Sequence, residues 1–362
     1  MNSATLTKYL NEGTRNIVKK ILKGSIFNFK ELSFLLKIKK SFKKSSRIRE
    51  ESENKNIHIP SFLISSITQN CNLFCKGCYA RANKICDNSG TKAMLSANEW
   101  EEIFKEANKI GISFNLLAGG EPLLRKDVLI AAANVKEMVF PVFTNGTLLD
   151  DEYIKFFEKN RNLIPIVSLE GNEATTDDRR GNGTYQKLIS SLVKMKKKKL
   201  IYGVSITVSK QNLNEVSDIN FIKNIKTLGC KVVLFIEYVP VDRSTEQLAF
   251  DDNDRIILEE KQDKLRLAFK NILFLSFPGD EKYMGGCLAA GRGFFHINSD
   301  GSAEACPFSP YSDCNVKHGS LMTALRSPLF KKIIEINLTE EEHKGGCSLF
   351  EKEDIIKELI SQ

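Results

Sequence analysis

No stretch of this 362-residue chain approaches the roughly 18–20 consecutive apolar residues that a membrane-spanning helix requires. Its first residues, MNSATLTKYLNEGTRN, lack the apolar segment and small-residue cleavage site of a secretory signal. These absences lead us to expect a cytoplasmic protein whose thiols stay reduced. Histidine is scarce, and His58, His296, His318 and His343 show no paired metal spacing, so structural or surface roles are expected for them. Gly181-Asn-Gly183 and Gly291-Arg-Gly293 are incomplete nucleotide fingerprints without the strand–GxGxxG–helix context. There is also no aromatic-plus-basic RNA motif and no zinc-finger spacing, so no nucleic-acid partner is expected.

What is present is an ordinary globular composition, 42% hydrophobic and 27% charged, which excludes a disordered chain. The length allows one large domain and a smaller one. The formal charge of +8 is uneven: residues 1–55 hold 14 Lys and Arg against 5 Asp and Glu, whereas the remainder holds 39 against 40. Within this basic extension Leu32, Phe34, Leu35, Leu36, Ile38 and Phe42 recur at helical intervals. One reading is a peripheral membrane contact through a basic arm. The other is a helical arm packed on the main domain. Residues 45–56 (SSRIREESENKN) read as a linker.

From residue 60 onward, short β-type runs alternate with amphipathic helical stretches. The expected strands are 62–68, 113–117, 139–143, 164–169, 203–208 and 231–236. Helices are expected over 96–110, opened by a Ser96/Glu99 capping box, over 185–198 and over 253–269. Six such β/α repeats predict an α/β fold of parallel strands with helical crossovers. An open doubly wound sheet and a partial barrel both satisfy that pattern. After residue 269 the texture changes, and 294–298 and 302–306 flank Ser299-Asp300-Gly301 as a hairpin.

Nine cysteines in a reducing compartment indicate metal or redox chemistry rather than disulfides. Cys71-Asn-Leu-Phe-Cys75-Lys-Gly-Cys78 follows the first expected strand, at the end where α/β folds place their sites. Thiolates suit iron–sulfur clusters or zinc. Electron carriers and structural zinc sites normally use four protein ligands. Three local ligands leave one iron of a cubane open to a small molecule. Cys86 could supply a fourth ligand, although a free thiol is the reading we favour.

The CxxxCxxC spacing resembles that of the radical S-adenosylmethionine superfamily, over residues 60–238. Gly119-Gly120-Glu121-Pro122 resembles the family's GGEP motif, which holds the amino group of S-adenosylmethionine. The glycines permit close backbone approach, and Glu121 could pair with the ammonium. By the same resemblance Asn145, in Thr144-Asn145-Gly146-Thr147, joins the cofactor loops. Ser168 and Glu170 would meet the ribose hydroxyls, and Arg180 the cofactor's carboxylate. Many relatives carry an aromatic residue just before the third cysteine, where this chain has Gly77, with Tyr79 after it. The resemblance implies a partial (β/α)6, TIM-like barrel and a [4Fe–4S] cluster. That cluster would reductively cleave S-adenosylmethionine to methionine and a 5′-deoxyadenosyl radical that abstracts hydrogen from a substrate. It also implies an electron donor of flavodoxin or ferredoxin type.

Cys287, Cys306 and Cys347 resemble ligands of the auxiliary-cluster domains called SPASM and twitch, with Cys314 a weaker fourth. One auxiliary [4Fe–4S] cluster is the better match to four cysteines. A closed zinc site and buried free thiols are the alternatives. The expected division is a basic helical extension and linker (1–58), a radical core (59–250) and a small α+β cluster domain (251–362). Glu237, Tyr238 and Asp242, after the sixth strand, are candidates for substrate contact or proton transfer. The substrate expected is a peptide or protein, with a small metabolite or cofactor precursor as the alternative. A non-catalytic iron–sulfur electron carrier and a zinc-stabilised binding module are the rivals from other classes.

Overall fold

The computed structural model describes every residue except 25–28, 87, 89–92, 340–346 and 362. His343 lies outside the described residues. Six parallel strands fall within two residues of the expected ones. They are β1 (Phe62–Ser66), β2 (Phe114–Ala118), β3 (Phe140–Thr144), β4 (Leu163–Ser168), β5 (Gly203–Val208) and β6 (Val232–Glu237). Each pairs with the next in sequence order. The helix Ala97–Ile110 opens with the expected reciprocal Ser96/Glu99 capping box and lays Trp100, Phe104 and Ala107 on the sheet.

Sequence reading missed a seventh parallel strand, β7 (Leu273–Phe277), which extends the sheet beside β6. Its five residues directly follow the helix Asp252–Ala268, and their alternation is too short to stand out. The expected hairpin exists in shorter form as β8 (His296–Ile297) and β9 (Ser302–Glu304), followed by β10 (Cys314–Asn315). β8 pairs in parallel with β1, while β9 and β10 continue antiparallel beyond it. The sheet order is therefore β10-β9-β8-β1-β2-β3-β4-β5-β6-β7, an α/β sheet of the partial-barrel type with the last part of the chain attached at both edges.

The basic extension forms two helices, α1 (Ser3–Gly24) and α2 (Phe29–Glu53). Helix α2 runs through most of the segment read as a linker, because the charged residues there line a helix face. Val18, Leu35, Ile38 and Phe42 pack against Val139, Ile164, Ile201 and Val232, all at or near the N-terminal ends of strands. The Phe42 ring also meets the edge of Phe114, at the start of β2, 4.7 Å between centroids. The arm thus closes the bottom of the barrel. Leu35, Ile38 and Phe42 of the arm are therefore inside the protein, whereas Leu36 is exposed. No described helix is long and apolar enough to cross a membrane.

Arg49 ties the arm down. Its guanidinium is buried and donates to Asn11 Oδ1 (2.6 and 2.9 Å), Ser113 Oγ (3.0 Å) and the Gly111 carbonyl. Burial is the main reason its pKa falls to about 10. Removing the side chain leaves several buried acceptors without a donor, each costly to strand. Arg49→Ala is expected to lower unfolding stability by about 2–4 kcal/mol in urea titrations of the full chain. A change below about 0.5 kcal/mol would show that the guanidinium is dispensable.

Candidate functional site

The C-terminal ends of β1 and β2 carry two loops that interlock. Gly120 N–H donates to the Thr68 carbonyl and Glu121 N–H to the Asn70 carbonyl, both at 2.8 Å. A Cβ on Gly119, whose φ is +120°, would lie 2.5 Å from Thr68 O, and one on Gly120 would lie 2.0 Å from Asn70 O. Only glycines permit this approach. The segment it positions is Cys71–Cys78, so the GGEP turn sets where the three thiols stand.

All three thiols are part-exposed and none is in a disulfide. Leu73 N–H donates to Cys71 Sγ (3.4 Å), and Asn145 Nδ2 lies 3.9 Å from the same sulfur. Arg180 Nη1 lies 3.8 Å from Cys75 Sγ. Burial pushes the Cys75 thiol up, against the pull of Arg180 and Arg179. Cys78 caps the helix Tyr79–Ala82 without using its side chain, which leaves its sulfur available. Cys86 is buried beside Cys71, and its thiol donates to it, lowering the Cys71 pKa. Sequence reading missed Arg81, which donates to the Leu73 carbonyl at 2.7 Å and stacks over Phe74 at 3.8 Å. An arginine three residues past the last cysteine was the available signal.

The structure corrects the role expected for Glu121. Its side chain is fully buried and accepts from Leu123 N–H (3.0 Å), Thr144 Oγ1 (2.7 Å) and Asn145 N–H (2.7 Å). A carboxylate so enclosed straps the β2 and β3 loops together instead of facing an ammonium. Burial raises its pKa to about 7 in spite of those bonds. Pro122 begins the short turn Pro122–Leu124 that follows. Asn145 continues the strap, donating to Asn72 Oδ1 at 2.8 Å.

Ser168 ends β4, its hydroxyl 3.5 Å from that of Ser205. Glu170 is fully buried and holds Arg180 (2.8 Å to Nε) and Arg179 (2.7 Å to Nη1), while Thr207 N–H donates to its second oxygen at 3.1 Å. Burial pushes its pKa up, but the two arginines outweigh it and the net shift is downward. A cavity of about 310 Å³ opens here, lined by Lys76, Glu170, Arg179, Thr207, Asn212 and Tyr238 among others. That volume lies at the lower end of the range for small-molecule sites.

Tyr238 explains the unusual glycine before Cys78. Gly77 has φ +63°, and a Cβ there would meet the Tyr238 hydroxyl at 2.3 Å. The tyrosine ring fills the space beside Gly77, and its hydroxyl bonds Thr245 Oγ1 at 2.7 Å. Glu237 points elsewhere: it pairs with Arg255 at 3.0 Å and lines a second cavity. Asp242 caps the turn Arg243–Leu248 by accepting from Ser244 N–H (3.0 Å), and it is exposed. The three are therefore not one constellation, and Asp242 is a structural cap.

Cys287, Cys306 and Cys347 are buried around that second cavity, with Glu237, Glu281 and Phe308 in its wall. Cys314 is not among them. It sits part-exposed on β10 beside Asp313, which corrects its expected role as a ligand, because its strand lies at the far edge of the sheet. Three of the scattered histidines are described. His296 bridges Ser66 and Glu304, His58 bonds the Arg292 carbonyl, and His318 is exposed. Among the described residues, no group of three His, Cys, Asp or Glu side chains is drawn together to hold a single ion. A cubane keeps each ligand on a separate iron and does not require that convergence.

A loop of three thiols locked against a glycine turn, beside a ligand-sized cavity at the C-terminal end of a parallel sheet, defines a cluster-dependent α/β enzyme. Residues 65–236 match the model of the Radical SAM superfamily. The cofactors of that superfamily are a [4Fe–4S] cluster and S-adenosylmethionine, and the three-thiol donor set here fits the cluster. The chain is 27% identical to an AdoMet-dependent heme synthase of Methanosarcina barkeri, over 81% of this chain and 88% of the relative. It is 25% identical to the sporulation killing factor maturation protein SkfB of Bacillus subtilis, over 57% of this chain and about half of that protein. The fold matches that of SuiB from Streptococcus suis bound to S-adenosylmethionine. The TM-score is 0.66 at 18% identity, covering 82% of this chain and 73% of SuiB.

Gly120→Ala should leave a folded protein with a displaced thiol loop, since its Cβ would collide with backbone that cannot rotate away. Anaerobically purified Gly120→Ala is expected to lose most of the iron held by this loop, measured as iron per chain with unchanged far-UV circular dichroism. Wild-type iron content would refute the interlock.

Proposed function

We propose that Cys71, Cys75 and Cys78 hold the S-adenosylmethionine-binding cluster and that the enzyme abstracts hydrogen from a peptide or protein substrate. A cluster held by these three thiols would supply the one-electron reduction that splits S-adenosylmethionine into methionine and a 5′-deoxyadenosyl radical. The observation that carries the reading is the locked pairing of the three-thiol loop with the Gly119–Gly120 turn, in a loop whose Lys76 lines the 310 Å³ cavity. The backbone of residues 119–122 would receive the cofactor's amino group, with Asn145 bracing the loop. Arg180, beside Cys75, would face its carboxylate. Ser168 and Glu170 would border the ribose, and the Tyr238 ring would stand where relatives carry an aromatic residue before the third cysteine.

We read residues 1–58 as a structural extension, 59–250 as the radical core and 251–362 as a twitch-like part holding one auxiliary cluster, though built into the same sheet. An electron donor of flavodoxin or ferredoxin type would reduce the cluster. SkfB, by its name a maturation protein for a sporulation killing factor, supports the peptide or protein substrate. A second reading, a cofactor precursor, is favoured by the longer match to a heme synthase. Deuterium transferred into 5′-deoxyadenosine from labelled candidate peptides or from labelled tetrapyrrole precursors separates the two.

The experiment is anaerobic purification, iron counting and reduction with S-adenosylmethionine. Wild type is expected to form 5′-deoxyadenosine, and Cys75→Ala to lose that product and one cluster's share of iron. If wild type forms none with any reductant, the proposal fails.

A further inference from the structure

Ionisable groups buried in an apolar core must be neutral, paired or bound to metal. The second cavity gathers such groups from stretches far apart in sequence. Cys287, Cys306 and Cys347 are 4, 2 and 8% exposed, and Glu281 is 2% exposed. The Cys306 and Cys347 thiols bond each other, and the Cys287 thiol donates to the Glu281 carboxyl. Glu281 is carried by the turn Gly279–Met284 and is aimed by Leu288 N–H, which donates to its Oε1 at 3.1 Å. All four side chains line the same buried space.

The other charged groups nearby are committed. Glu237 is paired with Arg255, and Arg292 donates to the carbonyls of Cys287 (2.5 Å) and Gly285 (3.2 Å), fixing the loop that bears the first cysteine. Cys314 is on β10, outside the cavity. Three thiols and one carboxyl group thus face one space, and a cubane has four irons to ligate.

We infer that Glu281 is the fourth protein ligand of an auxiliary iron–sulfur cluster held by Cys287, Cys306 and Cys347. This rests on the reading of residues 251–362 as a cluster-holding part. A carboxylate is a harder donor than thiolate, so the iron it binds differs electronically from the other three. Binding requires the ionised carboxylate and thiolates, and their protons leave as iron enters.

The test uses the full chain with Cys71, Cys75 and Cys78 changed to alanine, so that only auxiliary iron remains, purified anaerobically and examined by Mössbauer spectroscopy. With Glu281 intact, one iron in four should give a distinct quadrupole doublet. Glu281→Cys should merge that doublet with the rest. Glu281→Gln should lose about a quarter of the iron. Unchanged spectra and iron content in both variants would overturn the assignment. If Glu281→Gln does not fold, Glu281→Cys alone decides, by merging the doublet or leaving it. Absence of iron from the triple-alanine parent, itself folded by circular dichroism, would overturn the auxiliary-cluster reading and this assignment with it. Iron retained there but unaffected by Glu281 would overturn the assignment alone.

Discussion

Two backbone hydrogen bonds, from Gly120 to Thr68 and from Glu121 to Asn70, hold the loop after β2 against the loop after β1. Neither bond could form if either glycine carried a side chain, because the carbonyls of Thr68 and Asn70 occupy the Cβ positions. Much of the site depends on this contact. It places Cys71 within reach of Asn145, and it buries Glu121 where three donors from the β2 and β3 loops can meet it. A thiol loop of this length would otherwise have many conformations, and ordering it would cost roughly 1–2 kcal/mol per residue. The interlock, Arg81 and the Arg179–Lys76 backbone contact share that cost among several partners.

The opposite end of the barrel is governed by burial. Parallel strands leave apolar side chains at their N-terminal ends, and helices α1 and α2 cover them with Val18, Leu35, Ile38 and Phe42. The positive charge of the extension lies on what remains exposed. Arg49, the one deeply buried cation of the extension among the described residues, has every donor direction occupied by oxygen acceptors. The strong basic signal in composition is therefore the outer face of a structural plug. The chemistry sits at the other end of the strands, as in other parallel α/β folds.

Six strands, the capping box at Ser96, the thiol triad and the glycine turn were legible because each is local: alternation, capping and motif spacing lie within a few residues. The misses share a different cause. β7 is recognisable only by the strand it pairs with, β6, which lies 41 residues earlier by register. Glu121 reads as a ligand in sequence because Gly119–Pro122 resembles the GGEP motif and a carboxylate can pair with an ammonium. Its burial follows from the β3 loop folding over it. Gly77 reads as a missing ring, and the space beside it is filled by the ring of Tyr238, 161 residues later. Cys314 was grouped with its neighbours by proximity in sequence, but β10 carries it to the sheet edge.

The same long-range pairing joins the two thiol sets. At the end of β6, consecutive side chains of an extended backbone point to opposite sides. Tyr238 therefore lines the first cavity, while Glu237 and Val239 line the second. Across from them Tyr79, immediately after Cys78, packs its ring 4.9 Å from that of Phe308, two residues from Cys306. Asn83 adds a hydrogen bond from the helix end to the Pro307 carbonyl at 3.4 Å. A single wall, one strand end and two rings thick, thus separates the triad from the buried cysteines. β8 pairs with β1 at Ile64 and Ser65, just before the triad loop, so the chain that carries Cys306 is fixed to the strand that carries Cys71. Displacing either cysteine set would strain the sheet that holds the other, which makes the two one mechanical unit despite their distance in sequence.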